Sequence, residues 1–280
     1  MQTFSLWMIG MMTVFLLSCN PKATGTRTVN EGNDPNFKIT ANNDRILKRL
    51  PKKVEVFGVP IYAASKVKDE RLLHAANIMA QYLDNDEDGQ VDNPKVLAAM
   101  KSKKAFLIMW KTEADFPTIP PLGRIGQDLG NDETIPAWHT NGQTGRFDAA
   151  LEEVLHLITH AGYAKAYPKV FGERSDSEIA KAMDIARGGH FNRVPTQYPK
   201  DAWYTYDDKT CKYKCMVTEY HYWALTSILG AQAKRLDEIG HEWRLNTRAK
   251  VKARDAKIYA LLTDPQYKFP RKLPDGTYKR

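Results

Sequence analysis

The chain has 280 residues, 42% of them hydrophobic and 26% charged, with 17 Gly and 15 Pro spread along it. That balance excludes a collagen-like repeat, a disordered low-complexity chain and a multi-span membrane protein, and it leaves room for one sizeable core. Forty-one Lys and Arg against 33 Asp and Glu give a formal charge of +8, which suits an anionic partner without naming one.

Residues 1–18 carry no charged side chain. Their apolar part, residues 6–17, is too short to cross about 30 Å of hydrocarbon and reads as the core of a signal peptide. Leu16-Leu17-Ser18-Cys19 follows. It resembles the bacterial lipobox, which implies that Cys19 is diacylated, becomes the mature N-terminus and anchors the protein to a membrane, facing the periplasm or the exterior. Residues 19–45 are polar, include Gly25, Gly32 and Pro35, and show no hydrophobic period. They read as a tether, and residues 46–280 as one globular domain.

Within that domain, β-branched and aromatic residues between turn formers predict strands over 54–62 and 106–110. Apolar residues at three and four spacing predict helices over 69–83, 147–161, 177–187, 217–238 and 251–262. Ser175 and Glu178 form a capping box before the third of these, and Gly188 is its C-cap. The expected fold is α+β, mostly helical, with a small sheet.

After the first helix, Asp84, Asp86, Asp88, Gln90 and Asp92 put side-chain oxygens at alternate positions of a loop whose sixth residue is Gly89. This is how an EF-hand-like loop wraps Ca2+. The twelfth position, where a bidentate Glu closes an EF-hand, is Lys95.

The helix over 147–161 carries the functional argument. At about 100° per residue, Glu152, Glu153, His156 and His160 fall in one arc while aliphatic residues fill much of the rest. Titratable groups on a largely buried helix must be paired, neutralised or bound to a metal. Glu152-Glu153-Val154-Leu155-His156 resembles the His-Glu-x-x-His helix of zincin metallopeptidases, with Glu152 in place of the first His. The run from Val217 to Ala224 is similar to the downstream helix of gluzincins, including the anthrax-lethal-factor-like group, and puts Glu219 in their Glu-ligand position.

The resemblance implies a zincin-like domain holding Zn2+ or another divalent transition metal. Glu153 is then the general base, and His156, His160, Glu152 and Glu219 are the pool of ligands for hydrolysis of a peptide or protein substrate. Two ligand sets stay open: Glu152 with His156, or His156 with His160 joined by Glu219 or Glu152. Tyr204, Tyr206 and His221 are candidates to stabilise an oxyanion. His74 reads as a core or boundary histidine, and His139 as a group within reach of the site. His241-Glu242-Trp243-Arg244-Leu245 starts like the zincin motif but lacks its second ligand. The rival reading is a non-catalytic calcium-binding envelope lipoprotein whose Glu/His helix is a structural network.

Cys211 and Cys215, in an exported chain, suit a local disulfide better than a metal pair, since no second pair of soft ligands lies nearby. The basic stretch 234–280 suits an anionic envelope polymer, and no nucleic-acid-binding motif is present.

Overall fold

The computed structural model describes residues 37–116 and 123–279. The segment read as a signal peptide and Cys19 lie outside them. The molecule is an α+β domain, mostly helical, built on one sheet in the order β1 (Thr40–Ala41), β2 (Lys52–Val56), β3 (Val59–Ala63), β4 (Phe106–Trp110), β5 (Gly126–Gly130). β1 to β3 pair antiparallel, and β3 to β5 parallel.

The single strand expected over 54–62 is a hairpin. Phe57 and Gly58 both adopt positive φ, 50° and 80°, which is the backbone of a tight turn matching the right-handed twist of its strands. Parallel pairing of β3 with β4 then needs a long crossover, supplied by α1 (Asp69–Leu83) and α2 (Pro94–Ser102). α1 matches its predicted span to the residue. β1 belongs to the segment read as tether, and Phe37 is buried there against Tyr278, so the ordered chain begins before residue 46.

Beyond β5 come α3 (Pro136–Thr140), α4 (Ala150–Leu157), a π-helical turn (Ile158–Tyr163), α5 (Ala164–Ala166), α6 (Pro168–Phe171) and α7 (Glu178–Ala186). The chain ends with α8 (Tyr213–Leu229), α9 (Leu236–Ile239), α10 (Arg248–Arg254) and α11 (Ala256–Thr263). The cap of α7 is Ser177, whose hydroxyl accepts from Ala180 N at 3.2 Å, and not Ser175. The helix expected over 217–238 stops at Gly230, which takes φ +98° and caps α8 in the left-handed conformation. Asp255 divides the helix expected over 251–262, its side chain accepting from Ile258 N at 3.3 Å to start α11.

α4 packs on β4 and β5 with α1 alongside, and α8 crosses its other side. Tyr82 of α1 donates to Leu151 O at 2.8 Å, tying the two helices together. The π-turn rests on α2, where a Cβ on Gly162 would stand 2.6 Å from Val96 Cγ1, so only glycine permits this approach. Tyr163, Phe171 and Phe269 interlock beside it, with Tyr163 stacked 3.9 Å from Phe269, and hold the C-terminal segment down. Among the described residues no helix is long and apolar enough to cross a membrane.

Candidate metal centre

α4 brings Glu152, Glu153 and His156 together, with one ligand atom of each within 4.8 Å of the others. His156 is 6% exposed. Its Nδ1 lies 3.6 Å from Glu153 Oε2, and its Nε2 lies 3.3 Å from Glu219 Oε2 of α8. That second contact is out of line for a hydrogen bond, and Nε2 has no hydrogen-bond partner. Imidazole and carboxylate thus face one another at ion-pair distance without an aligned hydrogen bond. Two N and O ligands on one tetrahedral zinc, each about 2.0–2.1 Å from it, stand about 3.3 Å apart. The residues present therefore fit a divalent ion between His156 and Glu219.

The electrostatics describe the pair without an ion, and an ion bound there would displace the proton that the neighbouring carboxylates favour on the imidazole. Burial alone would depress the imidazole, yet Glu219 and Glu153 hold it well above its usual value. Desolvation, with Glu219 and Glu153 close by, pushes the Glu152 carboxyl up to about 8 despite His156 and a hydrogen bond with Tyr222. Tyr222 also sets its ring edge-on to His156 at 5.4 Å. Glu153 is held from the sheet side by Gln127 of β5, which donates to its Oε2. Sequence reasoning missed Gln127, because Gly126-Gln127-Asp128-Leu129-Gly130 carries no strand signal.

His160 does not join the centre. The α-helical spacing that stacks i and i+4 ends at Leu157, and the wider π-turn carries His160 off that line. Its Nδ1 is hydrogen-bonded to Glu173, and its side chain is 40% exposed. Of the two ligand sets that the sequence leaves open, the geometry favours the one without His160, with Glu219 beside His156.

Of the three oxyanion candidates, Tyr204 donates to Met216 O at 2.7 Å and is a buried structural link. His221 is buried beside Phe171 and Phe269, and burial with His156 nearby lowers it to about 3, so it is neutral. Tyr206 remains. Burial, then Glu219, Glu242 and Glu152, raise its hydroxyl far above the usual phenol range, which keeps it an O–H donor. Further out, Asp207, His241 and Glu242 also lie within 4.8 Å of one another, brought together where Thr205 N donates to Glu242 O at 2.7 Å.

His74 and His139 form a separate buried group around Asp148. Both Nε2 atoms reach Asp148 Oδ2, at 2.7 and 2.8 Å, while Oδ1 accepts from Ile135 N and Ala150 N. These are hydrogen-bond lengths with every oxygen satisfied, shorter than the edge of a metal tetrahedron. The group fastens the start of α4 to α1 and α3, and it reads as a positioning network. His139 is therefore directed to Asp148.

In the acidic loop, Asp84, Asp86 and Asp88 converge within 4.8 Å. Asp92 instead accepts from Asn85 N at 2.7 Å and Gln90 is exposed, so these two stand outside that group. Asp84 also accepts from Gly89 N and from the Tyr278 hydroxyl, at 2.8 and 2.6 Å. Burial pushes its carboxyl up to about 6 against those bonds. Lys95, at the closing position, lies over the Tyr167 ring on α2's outer side and supplies no oxygen.

Cys211 and Cys215 form the disulfide expected of them, with Cα atoms 5.4 Å apart at the entry to α8. Comparison of the chain with protein-family models, curated proteins and solved structures gives no match. Function is accordingly argued from the site.

Proposed function

We propose that the protein is a Zn2+-dependent hydrolase acting on peptide bonds, held at a bacterial envelope through lipidated Cys19. The observation that carries this reading is the buried His156 Nε2 facing Glu219 Oε2 at 3.3 Å without an aligned hydrogen bond, a spacing that two ligands of one ion would have. His156, Glu219 and Glu152 are the residues that would hold the ion. Glu for the first His of a zincin helix makes the set more anionic and harder than usual, which also suits Mn2+ or Fe2+. The chemistry such an ion supplies when bound is that of a Lewis acid, giving a more acidic water and a polarised carbonyl.

The chain's own residues supply the rest. Glu153 takes the proton of the attacking water and returns it to the leaving amine, with Gln127 fixing the orientation of its carboxylate. Tyr206 donates to the oxyanion that develops on the carbonyl oxygen. β5 lies beside α4, and among the described residues no strand pairs with its outer edge. An extended peptide adding to that edge would run past Glu153.

Glu153→Gln is the direct test, because amide replaces carboxylate at constant shape. Hydrolysis of an unstructured protein such as casein is expected to fall by about 10²-fold or more, the range of a lost general base, with metal content unchanged. Equal activity in the variant, or none in the parent loaded with Zn2+, Mn2+ or Fe2+ in turn, would remove the peptidase reading.

We read the acidic loop as a separate calcium site. With its folded value raised, ionised Asp84 opposes folding. That penalty is fully present above pH 6 and is relieved as pH falls towards 3.8. Ca2+ at pH 7 is therefore expected to raise the melting temperature, and Asp84→Ala with Asp88→Ala to abolish the rise. A parent protein indifferent to millimolar Ca2+ would mean that the loop is a solvated acidic turn.

A further inference from the structure

Two short extended segments meet where the chain before α8 runs past the turn that follows α9. Tyr204 and Trp243 form an antiparallel bridge, Thr205 N donates to Glu242 O at 2.7 Å, and Arg244 N donates to Trp203 O at 3.1 Å. The Thr205 hydroxyl donates to His241 O as well. Trp243 is fully buried, and its indole N–H donates to Ser227 Oγ of α8 at 2.9 Å, which anchors the second segment to the core. The crossing is therefore fixed by backbone bonds and one buried ring. It brings two distant stretches of chain together, and one ligand atom each of Asp207, His241 and Glu242 lies within 4.8 Å of the others.

The carboxylates of this group lack a counter-charge. Burial first, then the charges of Asp207 and Glu219, pushes the Glu242 carboxyl up to about 7, and Asp207 shares a hydrogen bond with it. No cation is among the groups that act on Glu242. Two carboxylates so close repel one another unless a proton or a positive ion lies between them. The imidazole of His241 adds what an acidic pair alone lacks, because one nitrogen and two oxygen donors suit a divalent transition metal such as Zn2+, Mn2+ or Fe2+. Ligands of one tetrahedral ion stand about 3.3 Å apart. Asp207 and His241 are exposed, so their side chains are free to turn inward and close the remaining distance.

We propose that Asp207, His241 and Glu242 form a second site for a divalent transition metal, separate from the centre on α4. An ion there takes the place of the proton between the two carboxylates and staples the chain before α8 to the turn after α9. In sequence, His241-Glu242 opens like a zincin motif without its second ligand; in the fold, Asp207 supplies a further donor from another segment. Three protein donors leave a coordination position for water. Two of the three are exposed, so the ion exchanges with solvent and the site fills from added metal. The proposal does not depend on the hydrolase reading.

Titration calorimetry of Zn2+ into the metal-stripped full chain, with millimolar Ca2+ present to occupy the acidic loop, counts the sites. His241→Ala and Asp207→Ala are each expected to abolish one Zn2+ equivalent or weaken it by about tenfold or more, with the melting temperature of the metal-free protein unchanged. His190→Ala, at an exposed histidine paired with Asp184, is expected to leave the count as it is. His156→Ala is expected to keep the equivalent that His241→Ala removes. If the centre on α4 holds no ion, the parent binds one equivalent in place of two, and that one still depends on His241. A parent that binds no Zn2+, or the same count and affinity in His241→Ala as in the parent, would overturn the proposal.

Discussion

Purified without added metal, the chain from Asn20 is expected to carry a near-stoichiometric transition metal, which His156→Ala and Glu219→Ala should remove and His160→Ala should leave in place. The three variants separate two geometries that the sequence alone leaves equal. If a regular α-helix ran through residue 160, His156 and His160 would share the ion, and either change would empty the site. With the π-turn beginning at Ile158 and His160 bound to Glu173, the second ligand comes from α8, and His160 is an outer group. Loss of a direct ligand should weaken binding by more than the roughly 10–100-fold typical of an outer-shell partner. Plasma mass spectrometry reads the result. Unchanged metal in His156→Ala would sink the centre altogether, and loss in His160→Ala would restore the i,i+4 pair.

The contrast between these residues shows where sequence patterns carry and where they fail. Periodicity located α1 and α4 because one apolar face on each is buried against the sheet or a neighbouring helix, and that demand is written at three and four spacing. It placed Glu153 and His156 correctly within one helix, because the spacing involved is a single turn. Glu219 entered through the resemblance of its run to a gluzincin helix, and no local signal tied it to His156. The failures arise where backbone geometry departs from the regular repeat. A π-turn costs one residue of phase, and nothing in Ile158-Thr159-His160 announces it. Gly230 and Asp255 end helices where apolar spacing continued, because capping there outweighed the hydrophobic pattern. β5 is a strand through its parallel pairing with β4, and its own residues have little preference for that state. His74 and His139 are 65 positions apart in chain and meet only through the crossover, so their convergence on Asp148 belongs to topology.

Asp148→Ala is expected to be among the most destabilising single changes in this domain, lowering stability by about 3–5 kcal/mol, the range for breaking a buried charged network. Asp148 is fully buried and accepts from His74, His139, Ile135 N and Ala150 N. Alanine would leave four donors facing a cavity at the very point where α4 starts. In a domain of this size the melting temperature should drop by about 10 °C or more. The pH dependence gives the sharper test. Burial would raise the Asp148 carboxyl, but the bonds from His139 and His74, the charge of His74 and the Ile135 amide together hold it well below the ordinary range. A carboxyl whose folded value is depressed contributes stability that is fully present above its free value of about 3.9 and is lost as pH falls from there towards the folded value. Urea unfolding at pH 7 should therefore show the full difference between parent and variant, and unfolding at pH 3 a smaller one. A difference of equal size at both values would place its origin in lost packing, with the ionised carboxylate contributing little. Because Asp148 positions α4 without touching the metal ligands, its loss should also lower metal affinity less than His156→Ala does, even in the fraction of variant that stays folded.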